Sequence, residues 1–437
     1  MSEENKNLNN EPEKAPVENH EEANKPLDKK NIILIAAAAV VVIVAIVIAV
    51  VFGGGQSANN GNEGGNEGEN GGEQGGNEGG NEGGNEGGNE GGNEGGNEGG
   101  NEGGNEGVAL NDYTLGLGVA FGEFKIGEAN MTIATVVLDK DGKIVLCRLD
   151  AVQNKFSADF DNDTFAFTRL ETKRELKENY HMADYGANQD RNGDGKVLEW
   201  YLQAEAFENH VKGMTAEEVA AMATQTQDDG YVISADEALL NAGCTIQINE
   251  FKEAVVKACN DEFKVSFQSE GDFTLGLAAN SGDNSSSVAD DVATIKMNVD
   301  IAASVVDKDG KIVVSLNDAI QPQIVYDYDG VISNKGVGKG NDVYKTKREL
   351  KEEYHMADWG ANQDRNGDGK VLEWYQQSAA FSAHVKGMTG DEVENMPTQT
   401  QDDGYIIPAD EALLNAGCTI QITGIKAVVA ESVANAR

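Results

Sequence analysis

Cysteine is scarce, with four residues in 437, at positions 147, 244, 259 and 418. None falls in a C-x-x-C pair, which excludes zinc ribbons and dithiol redox motifs. Cys147 aligns with Ser315 and Cys259 with Val433 in the internal repeat described below, so the repeated architecture needs neither, and a Cys147–Cys259 bridge stays open. Positive charge is also in deficit. Lys and Arg number 34 against 75 Asp and Glu, a net charge of −41. Such a surface repels phosphate backbones, so nucleic acid is not an expected partner. The chain has no Walker loop, nucleophile elbow, H-E-x-x-H or dinucleotide fingerprint, leaving hydrolase and nucleotide-dependent roles without a basis. Aromatic residues make up only 6% and proline only 6 positions, which looks poor for a globular chain until the 53 glycines are located.

Nearly half of those glycines lie in residues 53–107, largely as repeated Gly-Gly-Asn-Glu units with 12 Glu and no Lys or Arg. With nothing apolar to bury, this segment cannot offset its ordering entropy and is expected to be a disordered tether. Its flexible-coil span is about 40 Å, and pulled straight it reaches about 190 Å. One long apolar run precedes it. Residues 32–52, IILIAAAAVVVIVAIVIAVVF, are 21 uninterrupted apolar positions, about 31 Å as a helix, the thickness of a bilayer core. Lys29 and Lys30 precede the run and no basic residue follows until Lys125. The positive-inside rule therefore predicts a single-pass cell-membrane protein with residues 1–31 cytoplasmic and the bulk extracellular. The acidic tail, the length of the run and the lack of an A-x-A-like site argue against a cleaved signal.

The remainder is expected to form two domains, 108–262 and 263–437, because the second restates the first. Residues 172–248 and 346–422 match without a gap at 63 of 77 positions. Weaker correspondence precedes them, as in DYTLGLG (112–118) against DFTLGLA (272–278) and TVVLDKDGKIV against ASVVDKDGKIV. This is a tandem duplication, too long in period for a solenoid. Alternating β-branched residues around Asp-Lys-Asp-Gly predict a hairpin turning at 139–142 and 307–310. Helical spacing predicts a helix within 197–212, and Thr215 is an N-cap for another at 216–223. A helical turn is expected over 236–241, ended by Gly243, then a strand over 245–248 and a last helix over 251–259 or 425–433. Each copy is thus expected to be α+β, strands early and helices late.

Two constellations carry candidate chemistry. The first is ADEALLNAGCTIQI, at 235–248 and 409–422. By residues alone, Gly243 and Gly417 are left-handed helix ends and Thr245 and Thr419 are strand starters. The larger set of VVLDKDGKIV, TKRELKENYHMA, LEWYLQAEAFENHVKGMTAEEV and the NAGCT segment resembles the FMN-binding domain of membrane-anchored, covalently flavinylated electron-transfer proteins, and covers most of each copy. In that family a transferase reads [Ser/Thr]-Gly-Ala-[Ser/Thr] and esterifies FMN phosphate to the last hydroxyl. The resemblance therefore implies Thr245 and Thr419 as attachment sites, with Gly243, Gly417, Cys244 and Cys418 in the motif. It also implies a flavin transferase for maturation, a membrane quinone or dehydrogenase as electron donor, and an extracellular acceptor. Here Cys stands where the motif has Ala, Ala242 and Ala416 stand where it has Ser or Thr, and Asp236 lies farther back than the family's usual acid. Tyr180, Trp200 and Tyr201, with Tyr354, Trp374 and Tyr375, are candidates to stack on the ring or to pack the core.

The second constellation is NQDRNGDGKVLEWY. Asp190, Asn192 and Asp194, repeated as Asp364, Asn366 and Asp368, reproduce the first half of a Ca²⁺ loop, with Tyr201 where a bidentate acid belongs. A frame shifted by two residues closes on Glu199 instead. A Gly/Asn/Asp turn capping the next helix is the alternative. His181, His210, His355 and His384 have no Cys or Glu at ligand spacing, so zinc is not expected. The sequence thus predicts an extracellular carrier of electrons on FMN rather than a turnover enzyme, against a cofactor-free, Ca²⁺-stabilised surface module.

Overall fold

The computed structural model describes residues 110–182, 190–337, 342–356, 364–367, 369 and 371–437. The expected cytoplasmic tail, spanning helix and tether, and Asp368, lie outside the described residues. Among the described residues no helix is long and apolar enough to cross a membrane.

The first copy opens with four long antiparallel strands, β1 (Asn111–Lys125), β2 (Glu128–Asp139), β3 (Ile144–Asp159) and β4 (Thr164–Arg169). Asp139–Gly142 makes the anticipated turn: Gly142 adopts φ +75°, and its N–H donates to Asp139 O at 3.0 Å. A short helix α1 (Lys173–Leu176) follows, and after it α2 (Trp200–His210) and α3 (Ala216–Ala220). Thr215 caps α3 in a capping box with Glu218, as its S/T-x-x-E spacing demands. A small ribbon, β5 (Thr224–Thr226) and β6 (Val232–Ser234), leads to α4 (Glu237–Asn241) and α5 (Asn249–Cys259). The strand expected over 245–248 does not form. Cys244–Ile248 is an irregular link between two helices, and it has no partner strand among the described residues. The β-branched residues in it serve burial, since Ile246 and Ile248 are core residues.

β7 (Val265–Ser269) returns to pair with β1, giving the order β4-β3-β2-β1-β7. The second copy repeats the plan with β8 (Phe273–Asp283), β9 (Ser287–Ala289), β10 (Val292–Asp307), β11 (Ile312–Ile320), β12 (Pro322–Asp327) and β13 (Ile332–Val337) in its sheet. Helices α6 (Lys347–Leu350), α7 (Trp374–His384) and α8 (Gly390–Glu394) follow, then the ribbon β14 (Thr398–Thr400) and β15 (Ile406–Pro408), and finally α9 (Glu411–Asn415) and α10 (Thr423–Ala434). Each copy is α+β.

Strand periodicity sorts the core into layers. On β2, Met131, Ile133 and Val137 enter one apolar cluster, and Ala134, Val136 and Leu138 the other. Successive strand residues point to opposite faces, so both faces of this sheet are covered. The first cluster is shared by the two copies: Leu115, Leu117 and Ile133 pack with Leu275, Leu277, Ile295 and Ile301. The opposite face of each sheet is closed by that copy's own helices. The Leu-Gly-Leu motif that opens each copy has its cause here. A Cβ on Gly116 would lie 2.1 Å from Ala258 O on α5, and one on Gly276 1.7 Å from Ser432 O on α10. Only a bare backbone lets the last helix lie this close to the strand.

Arg348 crosses between the copies, pairing with Asp318 and with Asp261 of the first copy, each at 3.1 Å. These are buried charges paired with one another, so removing one partner costs more than the pair contributes.

Candidate functional site

The Gly-Cys-Thr segment is held from three sides. Asp236 caps α4 by accepting from the N–H groups of Ala238 and Leu239. After this short helix Gly243 takes φ +96°, and Gly417 takes +91° in the second copy. A Cβ at either would sit 2.4 Å from a Leu side chain, Leu198 or Leu372. Gly is therefore required twice over, by dihedral and by space. Cys244 and Cys418 are fully buried and belong to the helix-side cores. Burial pushes both thiols up to about 12, so they are packing residues and not nucleophiles. Cys244 and Cys418 thus fall on the inward face of the turn.

Thr245 is pinned by Gln203, a buried amide on α2. Gln203 Oε1 accepts from Thr245 N at 2.8 Å, Ile246 N at 3.1 Å and Thr245 Oγ1 at 3.3 Å. Its Nε2 donates to Leu198 O at 2.7 Å. In the second copy Gln377 accepts from Thr419 N at 2.8 Å and Thr419 Oγ1 at 3.3 Å, and donates to Leu372 O at 2.7 Å. The hydroxyl contact is the longest and weakest of the set. Thr245 is 5% exposed and Thr419 8%. Sequence reasoning missed both glutamines. The signal was there: Trp200, Gln203, Ala204 and Phe207 share one helical face, so Gln203 had to be buried and hence hydrogen-bonded.

A second group lies beside this turn. Lys173 and Lys347, half-buried on α1 and α6, each sit over two rings: Tyr180 and Trp200 at 5.0 and 5.6 Å, Tyr354 and Trp374 both at 5.3 Å. Burial lowers each ammonium to about 8, against the pull of Glu250, Glu128 and Asp150 in one copy and Asp300 and Asp318 in the other. In the second copy Lys347, Tyr354, Trp374, Tyr405 and Gln421 line a cavity of about 480 Å³, within the roughly 300–1,000 Å³ usual for small-molecule sites. Tyr201 and Tyr375 stand apart, donating to Glu178 and Glu352 at 2.8 Å.

The Asp/Asn loop spends its oxygens locally. Asp190 accepts from Asp194 N at 2.8 Å and Gly195 N at 2.7 Å, and Asp194 accepts from Lys196 N at 2.8 Å. Asp364 accepts from Gly369 N at 2.7 Å. The closing Glu of the shifted frame is committed elsewhere, because Glu199 accepts from Met182 N and Glu373 from Met356 N, each at 2.9 Å. Asn192 Nδ2 donates to Leu240 O at 2.9 Å and Asn366 Nδ2 to Leu414 O at 2.8 Å, which ties the loop to the helix before the Gly-Cys-Thr turn. The Oδ1 atoms of Asn192 and Asn366 are buried and have no hydrogen-bond partner among the described residues. Among the described residues no group of three His, Cys, Asp or Glu is arranged to hold a metal ion. His210 and His384 lie 3.6 and 3.9 Å from the capping acids Asp236 and Asp410. All four cysteines are free thiols.

Comparison with known proteins finds no matching protein-family model, no matching curated protein and no matching solved structure.

Proposed function

We propose that this chain is a membrane-anchored extracytoplasmic carrier that holds FMN through phosphoester bonds to Thr245 and Thr419. The observation that carries this reading is the duplicated cradle. Each threonine lies two residues after a glycine whose positive φ and close leucine strain any side chain, and each is fixed through its main-chain N–H by a buried glutamine. An ester removes the hydroxyl proton and with it only the 3.3 Å contact, while Gln203 Oε1 keeps its two N–H donors. The hydrogen-bond cost of attachment is therefore small. The inward direction of Cys244 and Cys418 leaves the outer face of the turn for a transferase to recognise. Bound FMN supplies the redox chemistry, and the protein supplies position and electrostatics. A membrane quinone or dehydrogenase is the donor in this scheme, and the tether carries the domains towards an extracellular acceptor. Co-expression with a flavin transferase tests it. Intact mass should rise by two FMN units and by one in either Thr245→Ala or Thr419→Ala; no added mass in wild type rejects the reading.

A second reading, a cofactor-free surface module stabilised by Ca²⁺, is favoured by two observations. The threonine hydroxyls belong to residues only 5% and 8% exposed, and Asn192 and Asn366 each present a buried oxygen without a partner among the described residues, in a loop rich in carboxylates. Hard cations are held by such oxygens. Under this reading Ca²⁺ raises the melting temperature over EDTA, and Asn192→Leu with Asn366→Leu abolishes the rise.

A further inference from the structure

The two copies differ where their rings would be expected to match. Nine of the residues that line the second copy's cavity have the same residue at the aligned position of the first, including Lys347 with Lys173, Trp374 with Trp200, Tyr405 with Tyr231 and Gln421 with Gln247. Three that differ are decisive. In the first copy the Glu250 carboxylate spans to the buried Thr132, accepting from its Oγ1 at 2.9 Å, and Phe251 meets Trp200 edge to face with ring centroids 5.6 Å apart. The second copy has Asp300, Gly424 and Ile425 at these positions. A Cβ on Gly424 would lie 2.2 Å from Asp300 Oδ2. The carboxylate that faces the lysine is on the helix in the first copy and on the strand in the second, where the helix carries Gly and Ile in place of Glu and Phe.

We infer that the copies are unequal: the second copy's cavity receives the flat, hydrogen-bonding ring of a flavin, whereas Glu250 and Phe251 close the same place in the first. The identity of the ligand rests on the flavin reading above. The walls suit such a ring, because Trp374, Tyr354 and Tyr405 line the cavity with aromatic surface, one face of each covered by Lys347 or Arg365, and Gln321 and Gln421 offer amides. The cavity also adjoins the attachment site, since Ile420 and Gln421 follow Thr419 directly and Gln421 N donates to Tyr405 Oη at 3.3 Å. A flavin on Thr419 is then shielded by its own copy, and one on Thr245 keeps its ring in solvent, open to an exchange partner.

The test is a fluorescence titration of the detergent-solubilised full-length chain, made without a transferase, with riboflavin, which has no phosphate to esterify. Wild type should bind one equivalent with quenching. Asp300→Thr with Gly424→Glu should weaken that binding at least about tenfold. Thr132→Asp with Glu250→Gly and Phe251→Ile should add a second equivalent. Circular dichroism and thermal melting confirm that both variants are folded. No saturable quenching in wild type, two equal sites, or substitutions without effect overturn the inference. Intact mass after co-expression with a transferase is scored separately. Ester without a riboflavin site sinks this inference and spares the flavin reading, and a riboflavin site without ester does the reverse.

Discussion

Replacing Gln203 by Leu keeps the side-chain volume close to native and removes every polar contact the amide makes. Thr245 N and Ile246 N lose their acceptor, and Leu198 O loses its donor. A buried main-chain group left without a partner costs about 1–3 kcal/mol. Two orphaned N–H groups therefore cost about 2–6 kcal/mol, which the extra apolar surface of Leu offsets by about 1–2 kcal/mol. The net expectation is about 1–4 kcal/mol; Gln377→Leu in the second copy takes the acceptor from Thr419 N and the donor from Leu372 O, one N–H fewer, and should cost less. Thr245→Val is the contrasting change. It replaces the hydroxyl with a methyl of similar size, leaves the 2.8 Å main-chain bond intact and removes only the 3.3 Å contact, so it should cost less than about 1 kcal/mol. The assay is guanidinium unfolding of protein made without a transferase, reading the midpoint at unchanged slope. A Leu variant within about 1 kcal/mol of wild type would refute the clamp. A Val variant as damaging as the Leu variant would show that the hydroxyl is structural, and a structural hydroxyl cannot be given up to an ester.

Three further outcomes follow from the same geometry. Gly243→Ala or Gly417→Ala, at φ +96° and +91° with a Leu methyl 2.4 Å from the new Cβ, should destabilise by about 2–3 kcal/mol; adding Leu198→Ala to the first should cost less than the sum of the two single changes, and full additivity would show that there is no clash. Cys147, Cys244, Cys259 and Cys418 are buried, with the last three thiols pushed up to about 12, 11 and 12, so iodoacetamide at pH 8 should label none in the native protein and all four in denaturant, as counted by mass. Lys173 and Lys347 are lowered to about 8 from 10.5. Between those values the unfolded chain holds more protons than the folded one, so the lysines make stability rise with pH across that window. Lys173→Met with Lys347→Met should remove about 1 kcal/mol or more of that rise after allowing for partial exposure. The comparison of variant with wild type isolates the lysines from the thiols, whose raised values act in the opposite sense above pH 9. Equal slopes in the two proteins would exclude a shifted lysine.

How much of this was legible in the sequence follows from which interactions are local. The hairpin turn, the Thr215 cap and Gly243 as a helix end each depend on a few neighbouring residues, and all three are found where their spacing put them. The segment after Gly243 was misjudged because Thr-Ile-Gln-Ile alternates like a strand, yet its hydrogen bonds go to a glutamine 42 residues earlier, and alternation cannot report that. Glu199 closed a metal loop on paper, but its carboxylate is turned to Met182 N, 17 residues back. Neither contact can be read from spacing, since both depend on tertiary partners. The duplication is the exception. It sets two versions of one site in the same molecule, so each difference can be weighed against its counterpart. Thr132 with Glu250 against Asp300 with Gly424 has meaning only as a pair of pairs: either carboxylate alone looks like ordinary surface charge. Together they show one negative charge kept beside a lysine over two rings, supplied by the helix in one copy and by the strand in the other. A charge retained through a change of donor points to a requirement of the site rather than of the element that carries it. On the inference drawn above, that makes the cavity, more than the threonine motif, the place where the copies differ in what they hold.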